Sequence, residues 1–121
     1  TAADGTTIHE LLLSFMEWAT RYYRKGGEAT SQVTIIRNSL RGLGDLFGRE
    51  RAADFGPRKL DTLRMHWVEA GVGRNLINRR CAVVKQAFRW GAERELVPGP
   101  VWQAVASLRP HGGYIGWITR F

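Results

Sequence analysis

The stretch from Asn75 to Glu95, NLINRRCAVVKQAFRWGAERE, decides how this chain folds. An α-helix turns by about 100° per residue. On a helix over this stretch, one side is an apolar stripe that consists of Ile77, Cys81, Val84, Phe88 and Gly91. Its opposite side is polar and carries Asn78, Arg79, Lys85, Gln86 and Arg89. Arg80 and Arg94 fall outside that polar face. The stretch therefore predicts a long helix that packs on other helices by one side and presents polar groups on the other.

The charge of this helix is one-sided. From Val72 to Ala92 the sequence has no Asp or Glu, although it has five Arg and Lys. A solvated face is the ordinary explanation for basic residues, because Arg and Lys lie outside in nearly every protein. An ordinary surface mixes both signs, however, and this one does not. We therefore favour a basic face that contacts an anionic partner.

The composition of the whole chain also favours an anionic partner. Eighteen Lys and Arg against eleven Asp and Glu give a net charge of +7, which favours nucleic acid over a membrane surface as the partner. The 121 residues are enough for one domain with its own core. No apolar run approaches the roughly 18 residues of a membrane-spanning helix. Cys81 is the only cysteine, which rules out an internal disulfide and fits a reducing cytoplasm.

Three helices are predicted before the basic one. Thr7 and Glu10 have the spacing of a capping box, and the helix that follows should end near residues 24–27. Its apolar residues at helical spacing are Ile8, Leu11, Leu12, Phe15, Ala19 and Tyr22. Thr30 or Ser31 should cap the second helix, whose buried stripe is Val33, Ile36, Leu40, Leu43 and Phe47.

Pro57 suits the first turn of a third helix that should end near Ala70, before the turn 71–73. A short fifth helix has Pro100 near its start, and no β-hairpin signal is apparent. The sequence therefore predicts an all-α domain over residues 1–110, a compact bundle of four principal helices and a short fifth. We expect residues 111–121 to be an irregular tail that continues no helical pattern: a short strand, a segment packed on the bundle, vector-derived residues or the start of a further domain.

A second candidate site lies on the polar side of the second helix. It consists of Ser31, Thr34, Arg37, Asn38 and Arg41. Arg and Asn both make paired hydrogen bonds, which suits contact with phosphates and base edges, although a plain solvated face explains this side equally well. His9 and His66 have no partner at metal-ligand or catalytic spacing. No cofactor, metal or small-molecule substrate is expected.

Several short motifs, taken in order, resemble one known domain. They are Asn78-Arg79-Arg80, then Phe88-Arg89-Trp90-Gly91, then Leu96-Val97 and a proline. Upstream of them come Phe47-Gly48 and the run from Asp54-Phe55-Gly56-Pro57 to Leu60. Over Thr6 to Pro110 this order is similar to the N-terminal core-binding (SAM-like) domain of the tyrosine recombinases, or phage-type integrases. The sequence departs from the family at Gly73, Leu76 and Gly99-Pro100.

The resemblance implies a domain that grips double-stranded DNA at a recombination site of a mobile element, as a homo-oligomer when the whole protein is on DNA. The family's catalytic Arg, His-x-x-Arg pair and Tyr would lie beyond residue 121. Tyr22, Tyr23 and Tyr114 do not have the surroundings of that nucleophile. We therefore expect a piece of a longer protein, as Thr1 in place of Met also suggests, and no enzyme activity in the piece itself.

Two alternatives stay open. One is a helix-turn-helix regulator that binds a palindrome as a dimer, with a short helix before the turn 71–73 and the N-terminal end of the basic helix in the major groove. The other is a helical protein-interaction module whose basic face meets an acidic partner. The second alternative predicts no affinity for DNA at physiological salt.

Overall fold

The computed structural model describes residues 5–25, 28–29 and 31–111. Within these ranges the chain forms five α-helices: α1 (Ile8–Tyr22), α2 (Ser31–Phe47), α3 (Pro57–Glu69), α4 (Arg74–Glu93) and α5 (Gly99–Ala106). A single 3-10 turn, Ala52–Asp54, precedes α3. The prediction of a small all-α bundle with four principal helices and a short fifth is confirmed. None of the described helices is both long and apolar enough to cross a bilayer.

The start of α1 is fixed by the predicted capping box. The Thr7 hydroxyl accepts a hydrogen bond from the Glu10 backbone N–H at 3.1 Å, and the Thr7 N–H donates to the Glu10 carboxylate at 2.8 Å. The Thr7 hydroxyl also donates to the Glu10 carboxylate at 3.1 Å, and the two donations, the backbone one first, hold the pKa of Glu10 below its usual range. The N–H of Ile8 donates to the Glu50 carbonyl at 2.8 Å, which ties this end of α1 to the loop after α2.

The end of α1 differs from the prediction. The helix ends at Tyr22, which is 65% exposed and therefore does not continue the buried stripe. Two short antiparallel strands follow, β1 (Arg24–Lys25) and β2 (Glu28–Ala29), so the expectation of no hairpin was wrong. The Gly-Gly dipeptide at 26–27 was the available sequence signal, because Gly-Gly between two short segments is typical of a β-hairpin. Those two glycines, and the expected cap Thr30, lie outside the described residues.

Helix α4 is the centre of the bundle and packs against α1, α2, α3 and α5. All five residues of its predicted stripe are buried, and so are Val83, Ala87 and Trp90. The buried arc is therefore wider than one stripe, since neighbours lie on more than one side. The Phe88 ring stacks on Phe55 with centroids 4.8 Å apart. A Cβ on Gly91 would come within 2.6 Å of Leu11 Cδ1, so this glycine permits close approach of α1.

Helices α2 and α3 complete the core. Val33, Ile36, Leu40 and Leu43 of α2 are buried as predicted, and Phe47 is half-buried. In α3 the predicted residues Leu60, Leu63 and Trp67 are buried. A Cβ on Gly42 would lie 3.0 Å from Trp67 Nε1, which explains why a helix interior tolerates glycine there. Gly71 adopts a φ of +84° and ends α3.

Cys81 lies on the buried side of α4, with 6% of its surface exposed. Burial raises the pKa of its thiol to about 11. The folded chain therefore keeps the thiol proton to higher pH than the unfolded chain does. The resulting stability is fully present below about pH 9 and is lost as the pH rises toward 11.

We expect Cys81 to react slowly with a thiol reagent such as dithiobis-nitrobenzoate at pH 8. The thiolate is the reactive form, and a pKa near 11 leaves on the order of a hundredfold less of it than an unperturbed cysteine has. The measurement compares the native protein with the same protein in urea. Equal rates in the two states would show that Cys81 is accessible and ordinary in the fold.

Candidate nucleic-acid interface

The polar side of α2 is an open surface. All five of its sequence-predicted residues are exposed, namely Ser31, Thr34, Arg37, Asn38 and Arg41. In the part of the chain that the structure describes, Arg37 and Arg41 have no ion-pair partner. Their guanidinium groups are therefore available to an anion without first breaking a salt bridge.

A groove of about 360 Å³ lies between α2, α3 and α4. We call it the basic groove, and its polar lining residues are Asn38, Arg41, Asp45, His66 and Arg80, with Gly42 and Trp67 completing the wall. Two guanidinium groups, an amide and an imidazole share this space with a single carboxylate. Such donors can reach both phosphate oxygens and the acceptor edges of bases.

Arg80 belongs to this groove, contrary to the expectation that it points elsewhere. Its guanidinium carbon lies 5.4 Å from the centre of the Trp67 ring, a cation–π arrangement. Helical angles place Arg80 beside the predicted apolar stripe, where a long side chain can run along apolar surface and keep its charged end in water. His66 was also passed over, because its sequence neighbours on α3 contain no partner. The groove brings it near Arg41 and Arg80 through tertiary packing.

The predicted polar face of α4 is divided in the structure. Arg79 is exposed, and no ion-pair partner is present for it among the described residues. Arg89 is also exposed, but its Nε lies 3.9 Å from the Glu93 carboxylate. Gln86 is half-buried. The face is therefore narrower and less cationic than the sequence indicates, and Arg79 is its most available charge.

Asn78 and Lys85 do not lie on an open face, which corrects the sequence-based expectation. The Asn78 side chain donates to the His111 carbonyl at 3.0 Å and accepts from the His111 N–H at 2.7 Å. Lys85 donates to the Leu108 carbonyl at 2.5 Å. Both side chains are half-buried and hold the chain after α5 against α4. The periodicity of α4 could not show this, because these partners come from about 23 and 33 residues further along.

A second cleft, of about 230 Å³, lies between the C-terminal parts of α1 and α4. Its walls are Trp18, Trp90, Gln86, Arg89, Glu93 and Arg94. The Arg94 guanidinium lies 4.4 Å from the Trp90 ring centre and 5.8 Å from that of Trp18, and it pairs with Glu93 at 3.8 Å. Arg94 therefore contacts residues of its own fold, in agreement with its predicted position outside the polar face of α4. The Trp90 indole N–H is buried and has no acceptor among the described residues.

The described ranges contain no group of three His, Cys, Asp or Glu side chains that could hold a metal ion. Comparison of the chain with protein-family models, with curated proteins and with solved structures finds no match. The function is therefore inferred from the residues themselves. We call Arg37, Asn38 and Arg41 of α2 the basic ridge. The candidate interface consists of this ridge, the basic groove, to which Arg41 and Arg80 both contribute, and the separate exposed Arg79.

Proposed function

We propose that this chain is a double-stranded-DNA-binding domain of the tyrosine-recombinase type. In this role it grips a recombination site while a separate catalytic domain cleaves and rejoins the strands. Two independent lines support the proposal. The first is the order of sequence motifs between Thr6 and Pro110. The second is the basic groove, in which Asn38 and Arg41 of α2 lie opposite Arg80 of α4.

The observation that carries the proposal is the unpaired state of Arg37 and Arg41 beside the basic groove, judged over the described part of the chain. An arginine that binds phosphate releases the counterions condensed on DNA, and this release supplies most of the non-specific affinity. Asn38 adds a side chain that can make a paired hydrogen bond with adenine. The basic ridge of α2 therefore combines two arginines that can contact the DNA backbone with one asparagine that can read a base.

Helix α4 adds a second contact through Arg79. Arg79 and Arg89 are ten residues apart, which corresponds to roughly 15 Å along a helix that rises 1.5 Å per residue. A spacing of this size can follow the wall of a DNA groove and touch more than one phosphate. The two arginines differ in one respect, because Arg89 has the Glu93 carboxylate nearby and Arg79 has no such neighbour.

Replacing Arg79 by Ala is therefore expected to weaken duplex binding more than Arg89→Ala does. Losing one phosphate contact should flatten the plot of log affinity against log salt by about one unit. Arg89→Ala should change the slope by less, because the Glu93 carboxylate already partly neutralises Arg89 in the parent protein. The measurement is a duplex titration at three or more salt concentrations.

Arg58→Ala is the matched control, since Arg58 is an exposed arginine in the first turn of α3. It lies eight residues from His66, roughly 12 Å away along the helix axis. Melting curves should show that all three variants stay folded, because surface substitutions usually change stability by about 0.5 kcal/mol or less. If Arg58→Ala weakens binding as much as Arg79→Ala does, α4 has no special part in DNA contact.

The length of α3 argues against the first alternative, and the same titration tests the second. A helix-turn-helix regulator needs a short helix before the turn, whereas α3 has 13 residues. A protein-interaction module predicts that the parent protein has no measurable affinity for duplex DNA near 0.15 M salt. That result would remove the proposed function and leave an acidic protein as the partner for the basic ridge.

A further inference from the structure

The chain after α5 is held against α3 and α4 by their side chains. We call residues 108–111 the strap. Three donors reach three of its carbonyl oxygens: Lys85 reaches that of Leu108 at 2.5 Å, Arg64 that of Arg109 at 2.5 Å, and Asn78 that of His111 at 3.0 Å. The strap is therefore bound through its backbone, by two cationic groups and an amide.

The strap contributes little apolar burial of its own. Arg109 and Pro110 are exposed, and Leu108 is half-buried against the core. A cavity of about 130 Å³ remains beneath it, lined by Arg64, Asn78, Cys81, Ala82 and Lys85 together with Leu108, Arg109 and Pro110. A segment that is held by a few polar contacts above a cavity has the features of a unit that opens without global unfolding.

The groups that hold the strap are also the kind that binds phosphate. Lysine, arginine and asparagine donate to carbonyl oxygens here, and the same donors bind the phosphate oxygens of DNA. Asp61 neutralises Arg64 through a 2.7 Å contact, whereas Lys85 has no carboxylate partner in the described ranges. The backbone of the strap thus occupies the positions in which phosphate oxygens would meet Lys85 and Asn78.

We propose that the strap is an autoinhibitory contact. When closed, it covers Cys81 and keeps Asn78 and Lys85 from DNA; when open, it exposes the thiol and returns both side chains to the binding surface of α4. This inference builds on the proposed function, because the ligand that the strap excludes is duplex DNA. The opening itself is a property of the free protein and can be measured without DNA.

Labelling of Cys81 measures the opening, since the chain has no other cysteine. Asn78→Ala removes both hydrogen bonds to His111 and should raise the labelling rate roughly tenfold, the factor that corresponds to about 1.4 kcal/mol. Asn75→Ala is the matched control, because Asn75 is an exposed asparagine on the same helix. Labelling through the strap should depend weakly on urea, whereas labelling through global unfolding follows the full urea dependence of stability. Equal rates for the two variants, or full urea dependence in both, would overturn the proposal.

Leu108→Ala tests the inhibition itself, because it loosens the strap and leaves every donor in place. We expect faster labelling of Cys81, tighter duplex binding, and a salt slope steeper by about one unit from the contact that Lys85 gains. Tighter duplex binding by Leu108→Ala than by the parent protein supports the proposal. If the parent binds DNA and Leu108→Ala binds no more tightly, the strap is not inhibitory. If neither binds DNA while Leu108→Ala still speeds the labelling of Cys81, the strap opens, but the proposed DNA-binding function is wrong and the inhibition with it.

Discussion

Replacing Phe88 by Ala should lower the free energy of unfolding by about 3–5 kcal/mol. The Phe88 side chain is fully buried, and its ring stacks on Phe55 at 4.8 Å with 17° between the ring planes. Truncation removes the apolar surface that α4 buries at the middle of the bundle and leaves a cavity that rigid helices cannot close completely. Domains have a total stability of only about 5–15 kcal/mol, so the loss is a large part of the whole.

The measurement is urea unfolding followed by circular dichroism. A pure loss of stability lowers the urea midpoint and leaves the slope of the transition unchanged. Leu76→Ala is the control on the same helix, since Leu76 is 41% exposed and its truncation should cost about 0.5 kcal/mol or less. Similar midpoints for Phe88→Ala and Leu76→Ala would mean that α4 is not the centre of the core.

Phe88 and its neighbours also show which parts of the fold the sequence determines. A helix that buries one side repeats its apolar residues at a fixed angle, so Ile77, Cys81 and Val84 were identified correctly from spacing alone. Local chemistry fixed the helix starts as well, because Thr7 and Glu10 need only each other to form a capping box. These features depend on contacts within about one or two turns, and single-sequence patterns record such contacts.

The errors come from contacts that are distant in sequence. Trp90 is buried because α1 brings Phe15 and Trp18 against it, with the Phe15 and Trp90 centroids 5.5 Å apart. The spacing of α4 alone places Trp90 on the polar side of the helix, close to the direction of Arg79. Lys85 was assigned to an open face because nothing near it in sequence shows that the chain returns after α5 and covers it.

The candidate interface shows the same difference between local contacts, which the sequence predicts, and distant contacts, which it does not. Arg37 and Arg41 were predicted from the polar side of one helix, and both are exposed. Arg80 joins the basic groove only because α3 places Trp67 beneath its guanidinium. Whether an arginine of α4 lies close to the basic ridge of α2 therefore depends on how the helices pack. The helical angles within α4 give no information about this packing.

The basic groove leads to the largest expected effect on binding. A double variant, Arg41→Gln with Arg80→Gln, should weaken duplex binding by roughly ten- to a hundredfold at fixed salt, which corresponds to about 1.4–2.8 kcal/mol for the two contacts together. The slope of log affinity against log salt should also fall by about two units. Glutamine is the better replacement because it removes the guanidinium charge and keeps most of the aliphatic stem of the arginine.

Loss of charge anywhere on the protein also weakens DNA binding, so the control has to remove the same charge elsewhere. Arg21→Gln with Arg58→Gln does this on the exposed surfaces of α1 and α3. A general effect of net charge predicts equal losses for the two double variants, whereas direct contact in the groove predicts a much larger loss for Arg41 and Arg80. Melting curves of both variants show whether the folded state persists. If the two pairs lose affinity equally, the groove is not where this domain holds DNA, and the exposed surface around Arg79 becomes the remaining candidate.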